Sequence, residues 1–124
     1  MISLNIMVVD DSPITIKKMR KLLEDLGHTV VQSCNTGKEA VECYAEVKPD
    51  LVTMDITMPD MDGITATKQI IAQDASALIM MVTSHGQQAM VLDAIKAGAK
   101  GYLLKPIKLE NLRDSLNKVI DRYV

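Results

Sequence analysis

Leu51-Val52-Thr53-Met54-Asp55-Ile56-Thr57-Met58-Pro59 opens on a run too short for a helix, with no polar face, and meets a carboxylate where the run ends. A strand buried on both faces of a parallel sheet has this unbroken apolar character, whereas a half-solvated strand alternates. Runs of the same kind recur on either side: Asn5-Ile6-Met7-Val8-Val9, Thr29 to Cys34, Ala77 to Val82, and Gly101-Tyr102-Leu103-Leu104. Stretches of helical period separate them. The first follows Ser12-Pro13, an N-cap with proline at the first helical position, buries Ile16, Met19, Leu23 and Leu26, and stops at Gly27. The second runs from Thr36 to about Val47, the third starts after Gly63, and the fourth covers about Gly86 to Ala97, closed by Gly98. The fifth aligns Leu109, Leu112, Leu116, Val119, Ile120 and Tyr123 on one stripe. Five such alternations with right-handed crossovers predict an α/β fold, a (βα)5 doubly wound five-stranded parallel sheet with helices on both faces.

The 124 residues suit one domain, 1–124, with no room for an output or catalytic domain. Aromatic residues are scarce: three tyrosines, no Trp and no Phe, so the interior must be built from Val, Ile, Leu and nine Met. Single-stranded nucleic-acid modules need aromatic platforms and groove binders need a basic excess. With 14 Lys+Arg against 16 Asp+Glu, neither exists, and no nucleic-acid partner is expected. Leu4 to Val9 lacks a basic flank and is too short for a signal peptide or a spanning helix. The expected location is cytoplasmic, without membrane insertion, and Cys34 and Cys43 are expected to be free thiols.

Ligands of doubly wound sheets bind at the carboxyl ends of the strands. There stand Asp10-Asp11 after the first run, Asp55 after the third, Thr83-Ser84 after the fourth and Lys105-Pro106 after the fifth. Each has a bland reading: Asp10, Asp11, Thr83 or Ser84 as helix caps, Lys105 as a solvated lysine, Asp55 as a loop carboxylate. Jointly, complementary polar groups at every strand end but the second favour a site. If the first and third strands are neighbours, three carboxylates converge. Such groups resist joint ionisation unless a cation balances them, and an oxygen-only donor set with open positions suits Mg²⁺. The pattern is that of a magnesium-dependent phosphoryl site.

Other readings fail on particular residues. No glycine-rich cradle follows the first strand, where two carboxylates would repel a pyrophosphate. Asp60-Met61-Asp62-Gly63 lacks both the first acidic ligand of a calcium loop, its place held by Met58, and the closing Glu. A phosphatase with an aspartyl nucleophile on the first strand would need a second Asp at Ser12. His28 is expected in a surface loop.

Asp10-Asp11, Asp55 with Met58-Pro59-Asp60-Met61-Asp62-Gly63, Thr83-Ser84 and Lys105-Pro106, five separated elements agreeing in type, order and spacing, resemble the receiver domain of two-component response regulators. Val52-Thr53-Met54-Asp55-Ile56-Thr57-Met58-Pro59 and Gly86-Gln87-Gln88-Ala89-Met90-Val91 are most similar to the stand-alone chemotaxis members of that family. The resemblance implies a flavodoxin-like strand order of 2-1-3-4-5 and a phospho-accepting Asp55 served by a histidine kinase of the chemotaxis type. It implies Mg²⁺ held by Asp11, Asp55 and the backbone carbonyl of Thr57, with Asp10 holding a metal-bound water. Lys105 and Thr83 would meet the phosphoryl oxygens. Tyr102 would act with Thr83 as the switch, Thr57 and His85 would tune rates, and Pro106 and Gly63 would be structural. The partners implied are the kinase, a phosphatase, and a flagellar switch protein or other phosphorylation-dependent target. The alternative is a relay intermediate passing its phosphoryl group to a histidine phosphotransfer protein. Either way the chain catalyses only its own phosphorylation and dephosphorylation. Met90 and Ile95, with Tyr102, are candidates for partner contact, because the apolar residues of the fourth helix spread beyond one stripe; small alanines could equally inflate that count. Arg20 with Glu24, and Lys21 with Asp25, have the spacing of helix ion pairs.

Overall fold

The structure, a computed structural model, describes residues 2–84 and 88–124. Element order is β1 (Asn5–Val9), α1 (Pro13–Asp25), β2 (Thr29–Cys34), α2 (Gly37–Val47), β3 (Leu51–Asp55), α3 (Gly63–Gln73), β4 (Ile79–Thr83), α4 (Gln88–Lys96), β5 (Gly101–Leu104) and α5 (Leu109–Tyr123). The strands form one parallel sheet in the order β2-β1-β3-β4-β5. The doubly wound fold and its inherited strand order are therefore as expected.

Period-two alternation sorts the sheet's side chains into two layers. Ile6, Val8, Leu51, Met80, Val82 and Leu103 pack with Met19 and Leu23 of α1 and Leu112, Leu116 and Val119 of α5. Met7, Val9, Val52, Met54, Ile79 and Met81 pack with Ala40 and Tyr44 of α2, Ala66 and Ile70 of α3 and Ala94 of α4. β3 and β4 are buried at every position, which is why their sequences do not alternate. Tyr44 is the one aromatic in this interior, and its hydroxyl donates to Asp74 at 2.9 Å.

Several local expectations shift. β4 begins at Ile79 rather than Ala77 and includes Thr83, and Gly63 is itself the first residue of α3, capped by Asp62. Leu109 and Tyr123 are exposed, and the fully buried residues of α5 are Leu112, Leu116 and Val119 in its middle turns. Ile16 and Leu26 are only partly buried. Neither Arg20–Glu24 nor Lys21–Asp25 is among the ion pairs of the described residues; exposed pairs of this kind gain only about 0.3–0.5 kcal/mol, too little to hold two long side chains together. His28 is buried, not a surface loop residue, and its Nδ1 accepts the Leu4 N–H at 3.0 Å.

Candidate functional site

Four strand ends deliver the polar groups to one pocket. Asp10 is fixed twice, its N–H donating to the Cys34 carbonyl at 3.0 Å and its Oδ1 accepting the Ser12 N–H at 2.9 Å. Ser12 then caps α1 through Thr15, so the turn that starts the helix also aims the carboxylate. Asp55 ends β3 and Thr83 ends β4. Lys105 follows β5, its N–H donating to the Thr83 carbonyl at 2.7 Å, and the Lys105–Pro106 peptide is cis.

The loop after Asp55 is pinned from both sides. The Gly63 N–H donates to the Ile56 carbonyl at 2.7 Å, and a Cβ on Gly63 would overlap the Asp55 carbonyl oxygen. Only glycine allows the helix start to pack this closely against the strand end. Asp60 accepts the N–H groups of Gly37 and Lys38 at 3.1 and 3.0 Å, tying the loop to the N-terminus of α2. These bonds, that of Lys38 foremost, hold its carboxyl below the usual range. In the sequence Asp60 stands out only as part of the Met58–Gly63 stretch. The available signal was a carboxylate in the loop beside a helix N-terminus that begins Thr36-Gly37, but the 22-residue separation hid it.

Carboxylate oxygens of Asp10, Asp11 and Asp55 lie within 4.8 Å of one another. Asp10 and Asp55 are buried and Asp11 is exposed at the rim. The Lys105 ammonium stands 3.0 Å from Asp10 and 3.5 Å from Asp55. Burial and then the Asp10 charge raise the Asp55 pKa from 3.8 to about 6, with Asp11 adding to them and Lys105 opposing. For Lys105, burial alone would lower the pKa, but the hydrogen bond to Asp10 and the charges of Asp55 and Asp10 prevail and raise it. One ammonium does not balance three carboxylates. The donor set is hard, all oxygen and open to solvent on the Asp11 side, which fits a Mg²⁺ ion that keeps several waters.

Thr83 is buried at the same end of the sheet, and Thr57 follows Asp55 by two residues. His85 lies outside the described residues. On β5, an edge strand, Tyr102 is 54% exposed, and Met90, Leu92 and Ile95 of α4 and Leu104 of β5 are exposed as well.

The family model of the response regulator receiver domain matches residues 6–117. The chain belongs to that family. This receiver is 47% identical over 116 residues to the chemotaxis protein CheY of Bacillus subtilis, covering 94% of this chain and 97% of that protein. It is 45% identical to the CheY of Thermotoga maritima, covering 92% and 95%. Among solved structures it resembles the CheX–CheY–BeF3–Mg²⁺ complex from Borrelia burgdorferi, with a TM-score of 0.89, 33% identity and coverage of 94% and 88%. A LuxR-family response regulator from Aurantimonas matches with a TM-score of 0.91 and 36% identity, covering 97% and 86%. The protein is thus a CheY-like receiver domain of two-component signalling. No helix among the described residues is long and apolar enough to cross a membrane.

Proposed function

We propose that this receiver takes a phosphoryl group onto Asp55 from a histidine kinase in the cytoplasm and signals through phosphorylation-dependent binding. The observation that carries the reading is a buried Asp55 with the Lys105 ammonium 3.5 Å away and two further carboxylates within 4.8 Å. Asp55 Oδ forms the bond to phosphorus as the donor's bond to phosphorus breaks and the donor leaves with its electron pair. Charge in this transfer sits on the non-bridging oxygens, so alignment and electrostatics set the barrier. Asp11, Asp55 and the Thr57 carbonyl would hold Mg²⁺, and Asp10 would orient a water beside it. When bound, Mg²⁺ neutralises the carboxylates and polarises the transferring group. Lys105 exchanges part of its ion pairing for a phosphoryl oxygen, and Thr83 donates its hydroxyl to another. Thr57 and His85 tune the approach of hydrolytic water.

Drawing Thr83 inward favours a buried Tyr102 over the exposed one, a population shift that reshapes the surface made by α4, β5 and α5. Met90, Ile95 and Tyr102 would meet the target there, a flagellar switch protein in chemotaxis. The kinase is of the CheA type, and a phosphatase removes the group, as a partner such as CheX would. The receiver turns over no external substrate.

Incubation with acetyl phosphate and Mg²⁺, followed by intact mass measurement, tests this. One phosphoryl adduct is expected, abolished by chelator and absent in Asp55→Asn. An unmodified wild-type mass overturns the reading.

A further inference from the structure

Cys34, Glu39 and Cys43 take no part in the phosphoryl chemistry. Cys34 ends β2, while Glu39 and Cys43 are four residues apart on α2 and so share a face of that helix. One donor atom from each lies within 4.8 Å of the other two. A place in the first turn of α2 accounts for a carboxylate at 39, but not for two thiols gathered around it.

We propose that Cys34, Glu39 and Cys43 form a second metal site, for one thiophilic divalent cation of the zinc class, with water in the fourth position. Two sulfurs and one carboxylate oxygen select such an ion over Mg²⁺, whose preference is for oxygen alone. A tetrahedral zinc ion with Zn–S of about 2.3 Å and Zn–O of about 2.1 Å sets its ligands roughly 3.5–3.8 Å apart. From separations of at most 4.8 Å, that needs no more than about 1 Å of side-chain movement. Binding exchanges the two thiol protons for the ion, leaving a complex of two thiolates, one carboxylate and the dication with a net charge of −1. Lys17 and Arg20 border the same cleft as Cys34 and Glu39, a space of about 350 Å³ that supplies an entry path and the opposing charge. The receiver then carries two metal sites of opposite chemistry at neighbouring strand ends. They are linked through the Cys34 carbonyl, which accepts the Asp10 N–H.

The reduced full chain is titrated with Co²⁺ in excess Mg²⁺ and followed by absorption, and Zn²⁺ is then added. The expected result is one Co²⁺ per chain with a thiolate-to-metal charge-transfer band and tetrahedral d–d bands, all displaced by Zn²⁺ and retained in Asp55→Asn. Cys43→Ser, at a half-buried position that tolerates serine, weakens binding by at least about tenfold, the cost of losing even an outer-shell partner. The wild-type spectrum needs no variant and is decisive alone: saturating Co²⁺ without a thiolate band overturns the proposal. So does a band unchanged by Cys43→Ser, or Co²⁺ binding that Asp55→Asn abolishes and Cys43→Ser leaves intact.

Discussion

At the amino ends of the strands, the Leu4 N–H donates to Nδ1 of His28, the Asn5 N–H donates to Asp50 at 2.7 Å, and Ser3 donates to the Gly27 carbonyl at 2.8 Å. At the carboxyl ends, Lys105 faces Asp10 and Asp55, and Asp11 completes a carboxylate cluster. Polar side chains at the first end complete backbone hydrogen bonds and leave no chemistry over. At the second they face one another, so part of their electrostatic energy is unresolved and available to an ion or a phosphoryl group. The contrast is between polar groups that complete backbone bonds and polar groups left in conflict with one another.

If the contrast is real, variants at the carboxyl end should change chemistry and those at the amino end only stability. Lys105→Met should slow phosphorylation of Asp55 by acetyl phosphate about 10²- to 10³-fold, the loss typical of a group aimed at developing charge. A rate within a few-fold of wild type would remove Lys105 from the mechanism. Gly63→Ala should cost about 3 kcal/mol in urea unfolding, because the Asp55 carbonyl oxygen that its Cβ overlaps belongs to strand backbone and cannot move aside cheaply. Unchanged stability there would mean that the loop after β3 is not pinned as described.

The site itself tolerates less charge than it holds. With divalent ions chelated, Asp55→Asn should stabilise the protein at pH 7.5 by about 1–2 kcal/mol, with allowance for water at the pocket mouth. The sign follows from a folded pKa near 6 against 3.8 unfolded. Stability tied to Asp55 is fully present below pH 3.8 and lost as pH rises through 6, so the variant's advantage should fade on acidification. An Asn variant no more stable than wild type at pH 7.5 would mean that the three carboxylates are not in conflict.

Most of this architecture was legible because its causes are local. Runs such as Val52-Thr53-Met54 read as buried strands because burial on both faces leaves no alternation, and carboxylates at strand ends read as a pocket once the topology was known. Features made by distant chain segments were not legible. His28 meets Leu4 across 24 residues, and Asp60 meets the α2 N-terminus across 22 and 23. The Cys34, Glu39 and Cys43 cluster likewise needs β2 and α2 folded together. Leu109 and Tyr123 fit the α5 stripe, but a periodic pattern does not reveal which of its positions the rest of the fold covers.

The finest test of the two-ended contrast is the direction of pH dependence at His28. Burial lowers its pKa from 6.5, and its neutral Nδ1 accepts the Leu4 N–H. Protonation turns that acceptor into a second donor facing a donor, at a cost of about 1 kcal/mol, one hydrogen bond. Stability tied to His28 is therefore present above pH 6.5 and lost as pH falls below it toward the folded pKa, opposite in direction to Asp55. His28→Asn keeps an acceptor oxygen near the same reach and does not titrate. Urea unfolding of wild type and His28→Asn at pH 7.5 and pH 5 should show wild type losing about 1 kcal/mol relative to the variant on acidification. The Asp55→Asn comparison over the same interval should show wild type gaining. Two differences moving in the same direction would mean that the two ends are not polar for opposite reasons.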